Sequence, residues 1–413
     1  MYFPVPLLGY AGDKHGQSKL SLFSAALFTP AYLVSAYVYS NHGSYKLLAG
    51  SFALVGTATS ALYVSALVTC ARMYPHSTGL AISAPVSAFG ISSLWLSQVI
   101  PKLFRTNAAS TDSALNVTGI FIFFAFMYLV MGVVGYIAAK LGDVDGSDVS
   151  KKSSTEGEDE PDTSEQRLSS EGNLNSHPSD HLTQRERLKV FIVSHETWLL
   201  MLAFVLTSGP LEMYLNNIGA IIDTMSTGRD LPYQRLDVIL SAPSSANNVS
   251  IFSAFSTIAR LSVGVFSDIV RPRLSTAMVL TIIVFTTAIA HFLLALGVFA
   301  QDAGRLFYIS SMINGFSYGA LFTLYPTMVA CVWGVKSFGT NWGLFILGPA
   351  IGSVIYGILF GAIYQRATSG LTCAGNDCYE ITFLVSGSGI VVASLVIFYL
   401  WHYSWKHNTL IQL

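Results

Sequence analysis

Stretches of about twenty predominantly apolar residues recur ten times along this chain, at roughly 20–40, 47–71, 79–100, 117–139, 197–219, 248–267, 275–300, 306–333, 341–365 and 381–403. A helix rising 1.5 Å per residue needs ~20 residues to cross a hydrocarbon core ~30 Å thick. Inside lipid every backbone polar group must be satisfied within the protein, which leaves helices and closed barrels as the only spanning structures. Runs of this length select the helix. Composition agrees: 52% of the residues are hydrophobic and 11% are charged, whereas a soluble domain carries about 25% charged residues. The sequence therefore predicts an all-α polytopic membrane protein with about ten full transmembrane helices, and residues 1–10 read as the tail of one more. The net charge of −1 offers nothing to nucleic acid. The four cysteines, Cys70, Cys331, Cys373 and Cys378, form no CxxC and no zinc-spaced cluster with histidine, so neither a metal nor a cofactor is expected.

Residues 141–190 break the pattern. They hold 12 acidic and 6 basic residues with Ser, Thr, Gly and Pro and few large apolar side chains. Such a segment buries too little surface to offset its ordering entropy and is expected to be a disordered acidic linker. It separates an N-terminal helical half, 1–140, from a C-terminal half, 191–413.

The two halves carry matching motifs in the same order. Gly9-Tyr-Ala-Gly-Asp13 pairs with Gly264-Val-Phe-Ser-Asp268, each Gly-x-x-x-Asp at a helix end with basic residues after it (Lys14 and Lys19; Arg271 and Arg273). Gly56–Tyr63 pairs with Gly315–Phe322, and Gly79–Pro85 pairs with Gly343–Pro349. The shared order at a slowly drifting offset is the mark of a duplicated transporter fold. The duplication also leaves the first half one helix and part of another short, so the sequence is expected to be truncated at its N-terminus.

These motifs resemble the major facilitator superfamily. The Gly9–Asp13 and Gly264–Asp268 segments look like its signature loop and the echo of that loop in the second half. The stretches GPLEMYLNNIG (209–219), STIARLSVGVFSD (256–268) and GLFILGPAIGSVIYG (343–357) resemble the fungal monocarboxylate-permease homologues, a group of vacuolar probable transporters. The resemblance implies two pseudo-symmetric helical halves, the present spans corresponding to helices 2 (partial) to 6 and 7 to 12. It also implies residence in the vacuolar membrane, with the plasma membrane as the alternative. Arg260-Leu-Ser-Val-Gly264 is similar to an Arg-Pro-Ser-x-Gly segment in which the arginine binds a substrate carboxylate. Here Leu261 replaces the proline, and Ser256 stands where that family has an acid.

The site expectation follows from the cost of ionisable groups in lipid, which as a rule face a cavity or a partner. Glu212 lies inside the span at 197–219, and Arg260 lies eight residues before Asp268, about 12 Å deep. Glu212 reads either as a substrate or proton ligand or as a buried bridge to Arg260. Asn216, four residues on, shares its face and reads as a ligand or as interhelical glue. Asn314, Tyr318, Leu321 and Tyr325 recur at helical spacing, and Tyr63 occupies the position related by the repeat to Phe322. Tyr63, Tyr318 and Tyr325 are candidates for substrate contact, with core packing as the other reading. His291 reads as a packed histidine. Gly9, Asp13, Lys14, Gly264, Asp268 and Arg271 read as a gating set, because a carboxylate at a helix end can accept from helix N-terminal amides and pair with bases. Pro85 and Pro349 are expected to disrupt their helices at matched positions and supply bending points.

With the signature loops placed in the cytosol, the linker and C-terminus are cytosolic as well. The sequons at Asn116 and Asn248 then fall on the other side as candidate glycosylation sites. So do Cys373 and Cys378, a candidate disulfide. The terminal YLWHYSWKH (399–407) reads as an interfacial aromatic anchor. The function expected is secondary-active transport of a small organic solute, a carboxylate or other organic anion, by alternating access with protons as a further partner, in a monomer. The alternatives are a non-transporting sensor on the same scaffold and an inactive truncated product. Gly315-Phe-Ser317-Tyr-Gly319 matches G-x-S-x-G, but a nucleophile elbow needs a strand-to-helix turn and this pentad lies in an apolar helix, so no enzyme is expected. No GxxxxGK[ST] loop is present to couple the chain to ATP.

Overall fold

The computed structural model describes residues 2–74, 77–104, 116–155, 183–226, 244–271, 273–300, 304, 306–367 and 375–406. Every regular element among them is helical. In chain order they are α1 (Val5–His15), α2 (Gln17–Ser40), α3 (Tyr45–Met73), α4 (Thr78–Leu103), α5 (Val117–Thr155), α6 (Gln184–Val193), α7 (His195–Ser226), α8 (Ser245–Val270), α9 (Thr276–Ala295), α10 (Phe307–Trp333), α11 (Phe338–Phe345), α12 (Leu347–Ala367) and α13 (Glu380–Tyr399). A π-helical turn, Leu400–Trp405, extends α13. Nine spans among the described residues are long and apolar enough to cross a membrane, α11 and α12 counting as one, and α4 covers the remaining expected stretch. The protein is a multi-pass membrane protein.

Two boundaries and one proline depart from the sequence expectation. α5 runs on to Thr155, so the segment expected to be linker from 141 opens in helical conformation. Extending a formed helix adds one hydrogen bond per residue without a new nucleus, which carries it past the apolar run; α6 likewise begins before 190. Pro85 does not disrupt its helix, since α4 passes through it unbroken. The helix carrying Pro349 does break, with α11 ending at Phe345 and α12 starting at Leu347. Pro349 sits in the first turn of α12, where its missing N–H would have had no intrahelical acceptor.

Contacts divide the chain into two compact units. The first comprises Met1–Ala81, Ser92–Phe191 and Val329–Leu344. Its axis is the pairing of α2 with α5 and α3. Small residues allow the close crossing: Ser21 Oγ donates to the Gly132 carbonyl at 3.0 Å, and a Cβ on Gly135 would strike the Ser21 hydroxyl. Aromatic rings fill the rest of the seam, with Phe28 stacked on Tyr128 at 4.3 Å and Tyr32 on Tyr128 at 5.8 Å. The other faces of α5 present Phe126, Val130, Met131, Val134 and Ile137 outward. A helix apolar all round and exposed on most of its surface belongs in lipid.

The second unit comprises Ile82–Ile91, Ile192–Met328 and Phe345–Leu413. α10 is its most enclosed span, 83% buried over its apolar window. α9 pairs with α13, and α7 packs on α12 and α13. Two glycine crossings set the spacing. Gly209 of α7 meets the backbone of Gly352 in α12, and Gly315 and Gly319 of α10 lie against the backbones of Phe252 and Ser256 in α8. The Gly315–Gly319 pentad is therefore a helix crossing of the small-xxx-small kind. Gly319→Ala is expected to cost about 1–3 kcal/mol, because the methyl overpacks a rigid carbonyl. Its thermal midpoint in detergent should fall, whereas Gly357→Ala, whose methyl meets nothing within 4 Å, should leave it unchanged.

Candidate functional site

In the second unit Arg260 is a buried cation, 8% exposed, on α8. Its Nη1 donates to the Val86 carbonyl of α4 at 2.8 Å. One turn further along α4 stands Gly90, where an added Cβ would lie 3.0 Å from Nη1 and 2.9 Å from Thr257 Oγ1. The guanidinium thus occupies space that exists because residue 90 lacks a side chain. The α8 backbone beneath it is pinned to α10 by the glycine crossing and by Thr323 Oγ1, which donates to the Arg260 carbonyl at 3.3 Å. Ser256, where the resembled family has an acid, is itself buried.

The other expected ligands are placed unequally. Glu212 is buried, at 9% exposure, two residues after Pro210 inside α7. Asn216 is exposed, so the edge of burial falls between two residues that share a face. Tyr318 is half-buried, its ring 5.5 Å from Phe252 and 4.7 Å from Phe322. Tyr325 is fully buried, stacked on Phe204 at 4.2 Å with its hydroxyl 3.3 Å from Thr207 Oγ1. Tyr63 is half-buried in the first unit.

Asn314 is also fully buried, and it belongs to a polar belt that periodicity alone did not reveal. Its amide donates to the Ser310 carbonyl at 2.9 Å, which turns Oδ1 toward His291 Nε2 at 3.1 Å. His291 Nδ1 lies 2.8 Å from Ser386 Oγ. In the other direction Ser310 donates to the Tyr214 hydroxyl at 3.1 Å, Tyr214 meets Ser311 at 3.0 Å, and Ser311 donates to Asn248 Oδ1 at 2.8 Å. The belt joins α7, α8, α9, α10 and α13. Asn314→Leu is expected to cost about 1–3 kcal/mol, the penalty for orphaning a buried partner, and to lower the unfolding midpoint. The pair His291→Phe with Asn314→Leu should recover part of it, since removing both partners leaves no orphan between them.

A second polar cluster closes the first unit. Asp13, with a side chain 1% exposed at the end of α1, accepts from the Thr340 backbone N–H at 2.6 Å, from Thr340 Oγ1 at 2.8 Å and from Arg72 Nη2 at 2.8 Å. Thr340 lies in the first turn of α11, whose unpaired amides and dipole favour an anion. Burial raises the Asp13 carboxyl above the usual carboxylate range, against the opposing pull of Arg72 and the Thr340 donors. Arg72 also donates to the Lys336 carbonyl at 3.2 Å. Gly9 brings α1 onto the Gly339 backbone, and Gly343 approaches Val5. The base is Arg72, from the last turn of α3, and not Lys14, which is exposed. In the second unit Asp268 pairs with Arg271 at 3.2 Å, one turn after the buried Gly264.

Asn248 cannot accept a glycan in this fold: it is buried inside α8, with Nδ2 donating to the Ser244 carbonyl at 3.0 Å and Oδ1 bonded in the belt. Asn116 is exposed just before α5, where its Oδ1 accepts from Gly119 N at 2.9 Å. Cys378 is disulfide-bonded, while Cys373 lies outside the described residues. Trp405, in the terminal aromatic run, is buried and donates to Glu196 Oε2 at 2.9 Å, tying the π-helical turn to the start of α7.

Comparison with known proteins identifies the scaffold. Residues 3–270 match the Major Facilitator Superfamily. "Probable transporter MCH1" of Wickerhamomyces anomalus is 35% identical, covering 93% of this chain and 74% of that protein. The protein of the same name from Yarrowia lipolytica is 32% identical, covering 98% and 83%. Among solved structures, the proton:xylose symporter XylE superposes with a TM-score of 0.61 at 14% identity, over 97% of this chain and 83% of its own. The human organic anion transporter MFSD10 superposes with 0.59 at 12% identity, over 96% and 80%. At those identities the structures share the fold alone. The sequence match reaches over half of the chain, and the fungal relatives align along nearly all of it: the chain belongs to the Major Facilitator Superfamily of membrane transporters.

Proposed function

We propose that this protein carries a small organic anion across its membrane by alternating access, with Arg260 as the anion ligand, Glu212 as its ionisable companion and Asp13 as the latch of one closed end. The observation that carries the reading is the buried Arg260 guanidinium, set deep in a membrane helix. A cation there is costly and is kept where it serves a pathway or a partner. Position supports the choice, since transporters of this kind bind near the midplane and Arg260 lies about 12 Å inside the end of its helix. The fungal relatives are described as probable transporters, and the resemblance at Arg260–Gly264 favours a carboxylate over a sugar. The same resemblance favours the vacuolar membrane.

Gating follows from the Asp13 cluster. Alternating access requires the chain segment carrying α11 to part from α1 and α3, and the Asp13 bonds to Thr340 and Arg72 resist that parting. The test is counterflow in proteoliposomes of the purified full chain. Preloaded organic anions should accelerate uptake of a labelled anion saturably, and preloaded neutral sugars should not. Equal acceleration by both, or none by any anion, would remove the anion reading.

A further inference from the structure

We propose that the Val86 carbonyl is the partner that Arg260 gives up when an anion binds, so that anion binding at α8 releases α4. The inference rests on the reading of Arg260 as the anion ligand and adds to it how occupancy reaches a second helix.

Four observations meet at this point. The Arg260 Nη1 bond to Val86 O is 2.8 Å long and joins α8 to α4. The guanidinium fits against α4 because Gly90 offers no Cβ within its reach. α8 is held to α10 by the Gly315 and Gly319 crossing and by Thr323, so we take α8 as the fixed member of the pair and α4 as the member that moves. Pro85 precedes Val86, and its missing N–H leaves the Ala81 carbonyl without its helical donor, so α4 has one helical hydrogen bond fewer in the turn Arg260 grips.

The chemistry sets the direction of exchange. A backbone carbonyl is neutral, and the Val86 carbonyl receives a single N–H of the guanidinium. A carboxylate is charged, and it matches the guanidinium fork with two parallel bonds. An arriving carboxylate therefore displaces the carbonyl, and α4 loses its tie to α8. Without an anion the tie re-forms, and the empty carrier holds α4 in place. Gly90 is then a positioning residue: a side chain there pushes the guanidinium off Val86 without altering its charge.

The reporter is a cysteine at Ser87, a buried α4 residue, in the full chain with Cys70 and Cys331 changed to alanine. Its rate of reaction with a water-soluble thiol reagent is measured in detergent, with pyruvate as the probe carboxylate and intrinsic tryptophan fluorescence as the binding signal. Arg260→Gln and Gly90→Leu should each raise the Ser87→Cys rate roughly tenfold or more without any anion, as expected for loss of a charge-assisted bond. Pyruvate should raise it in the otherwise wild-type protein and have no further effect in Arg260→Gln. Unchanged protection in Arg260→Gln would overturn the tie. Saturable pyruvate binding, lost in Arg260→Gln, with no change at Ser87→Cys would overturn the coupling while leaving the anion ligand standing. Release by Arg260→Gln and Gly90→Leu, with pyruvate binding to wild type and Arg260→Gln alike, would keep the tie and overturn the anion as its trigger. Gly90→Ala, a smaller intrusion, guards against misfolding of Gly90→Leu and should give a smaller rise in the same direction.

Discussion

Arg260→Gln is expected to lower saturable anion flux by roughly two orders of magnitude while the protein stays folded. Truncating one partner of a buried, hydrogen-bonded charge pair costs about 2–5 kcal/mol, much of it the penalty of leaving the other charge unpaired, and every 1.4 kcal/mol is about tenfold. Glutamine keeps polarity and approximate reach but has neither the charge nor the fork. Arg260→Lys separates these contributions, because it retains charge without bidentate geometry, and it should fall between wild type and Arg260→Gln. Glu212→Gln should also suppress flux if Glu212 is the ionisable companion. Initial rates in proteoliposomes are the measurement, normalised to folded protein by the thermal midpoint in detergent. Wild-type flux in both Arg260→Gln and Glu212→Gln would sink the site assignment. The folding control is informative because the α8 backbone is held by the Gly315 and Gly319 crossing and by the Thr323 hydroxyl, none of which involves the guanidinium.

How far the sequence reached depends on the range of the interaction. Apolar run length is a local property, and the helices lie where the runs are. The role of Asp13 as an acceptor at a helix N-terminus was legible in kind, because a Gly-x-x-x-Asp at a helix end advertises it. Its partners were not: Arg72 is 59 residues away and Thr340 is 327 away, and nothing in one sequence pairs residues at such separations. The nearest base, Lys14, was the natural expectation, and it points to the exterior. Asn314 shows the limit of helical periodicity. Spacing puts it on one stripe with Tyr318 and Tyr325, but not which neighbour that stripe faces. At Asn314 the neighbour is His291, and at Tyr325 it is Phe204 and Thr207. The sequon at Asn248 failed for a similar reason, since the motif records residue types and the helix buries the amide. Pro85 and Pro349 look equivalent in sequence. They differ because only one stands in a helix's first turn.

Asp13→Asn should open the α1–α3–α11 cluster. The native carboxylate is acceptor-only and receives two donors from Thr340, one from Arg72 and a longer one from Gln17 at 3.4 Å. Asparagine keeps one acceptor oxygen and turns an NH2 group toward donors that were already satisfied. Hydrogen bonds to a charged group are worth about 1.5–3 kcal/mol net, and the helix-dipole attraction at the start of α11 disappears with the charge. A loss of about 2–3 kcal/mol changes the ratio of open to closed cluster by roughly 30- to 150-fold. Arg72→Gln should do less. Its side chain is 29% exposed, and partly exposed ion pairs are worth about 1 kcal/mol or less, so the Thr340 bonds remain the main hold. A cysteine at Ser337, buried in the turn before α11, reports the opening in a chain with Cys70 and Cys331 changed to alanine. Its reaction with a charged thiol reagent should quicken most in Asp13→Asn and modestly in Arg72→Gln. The ordering separates two mechanisms: if Arg72→Gln opened the cluster as much as Asp13→Asn, the latch would be the ion pair, and equal protection in all three proteins would mean that α11 is held by the Gly9 and Gly343 crossings alone.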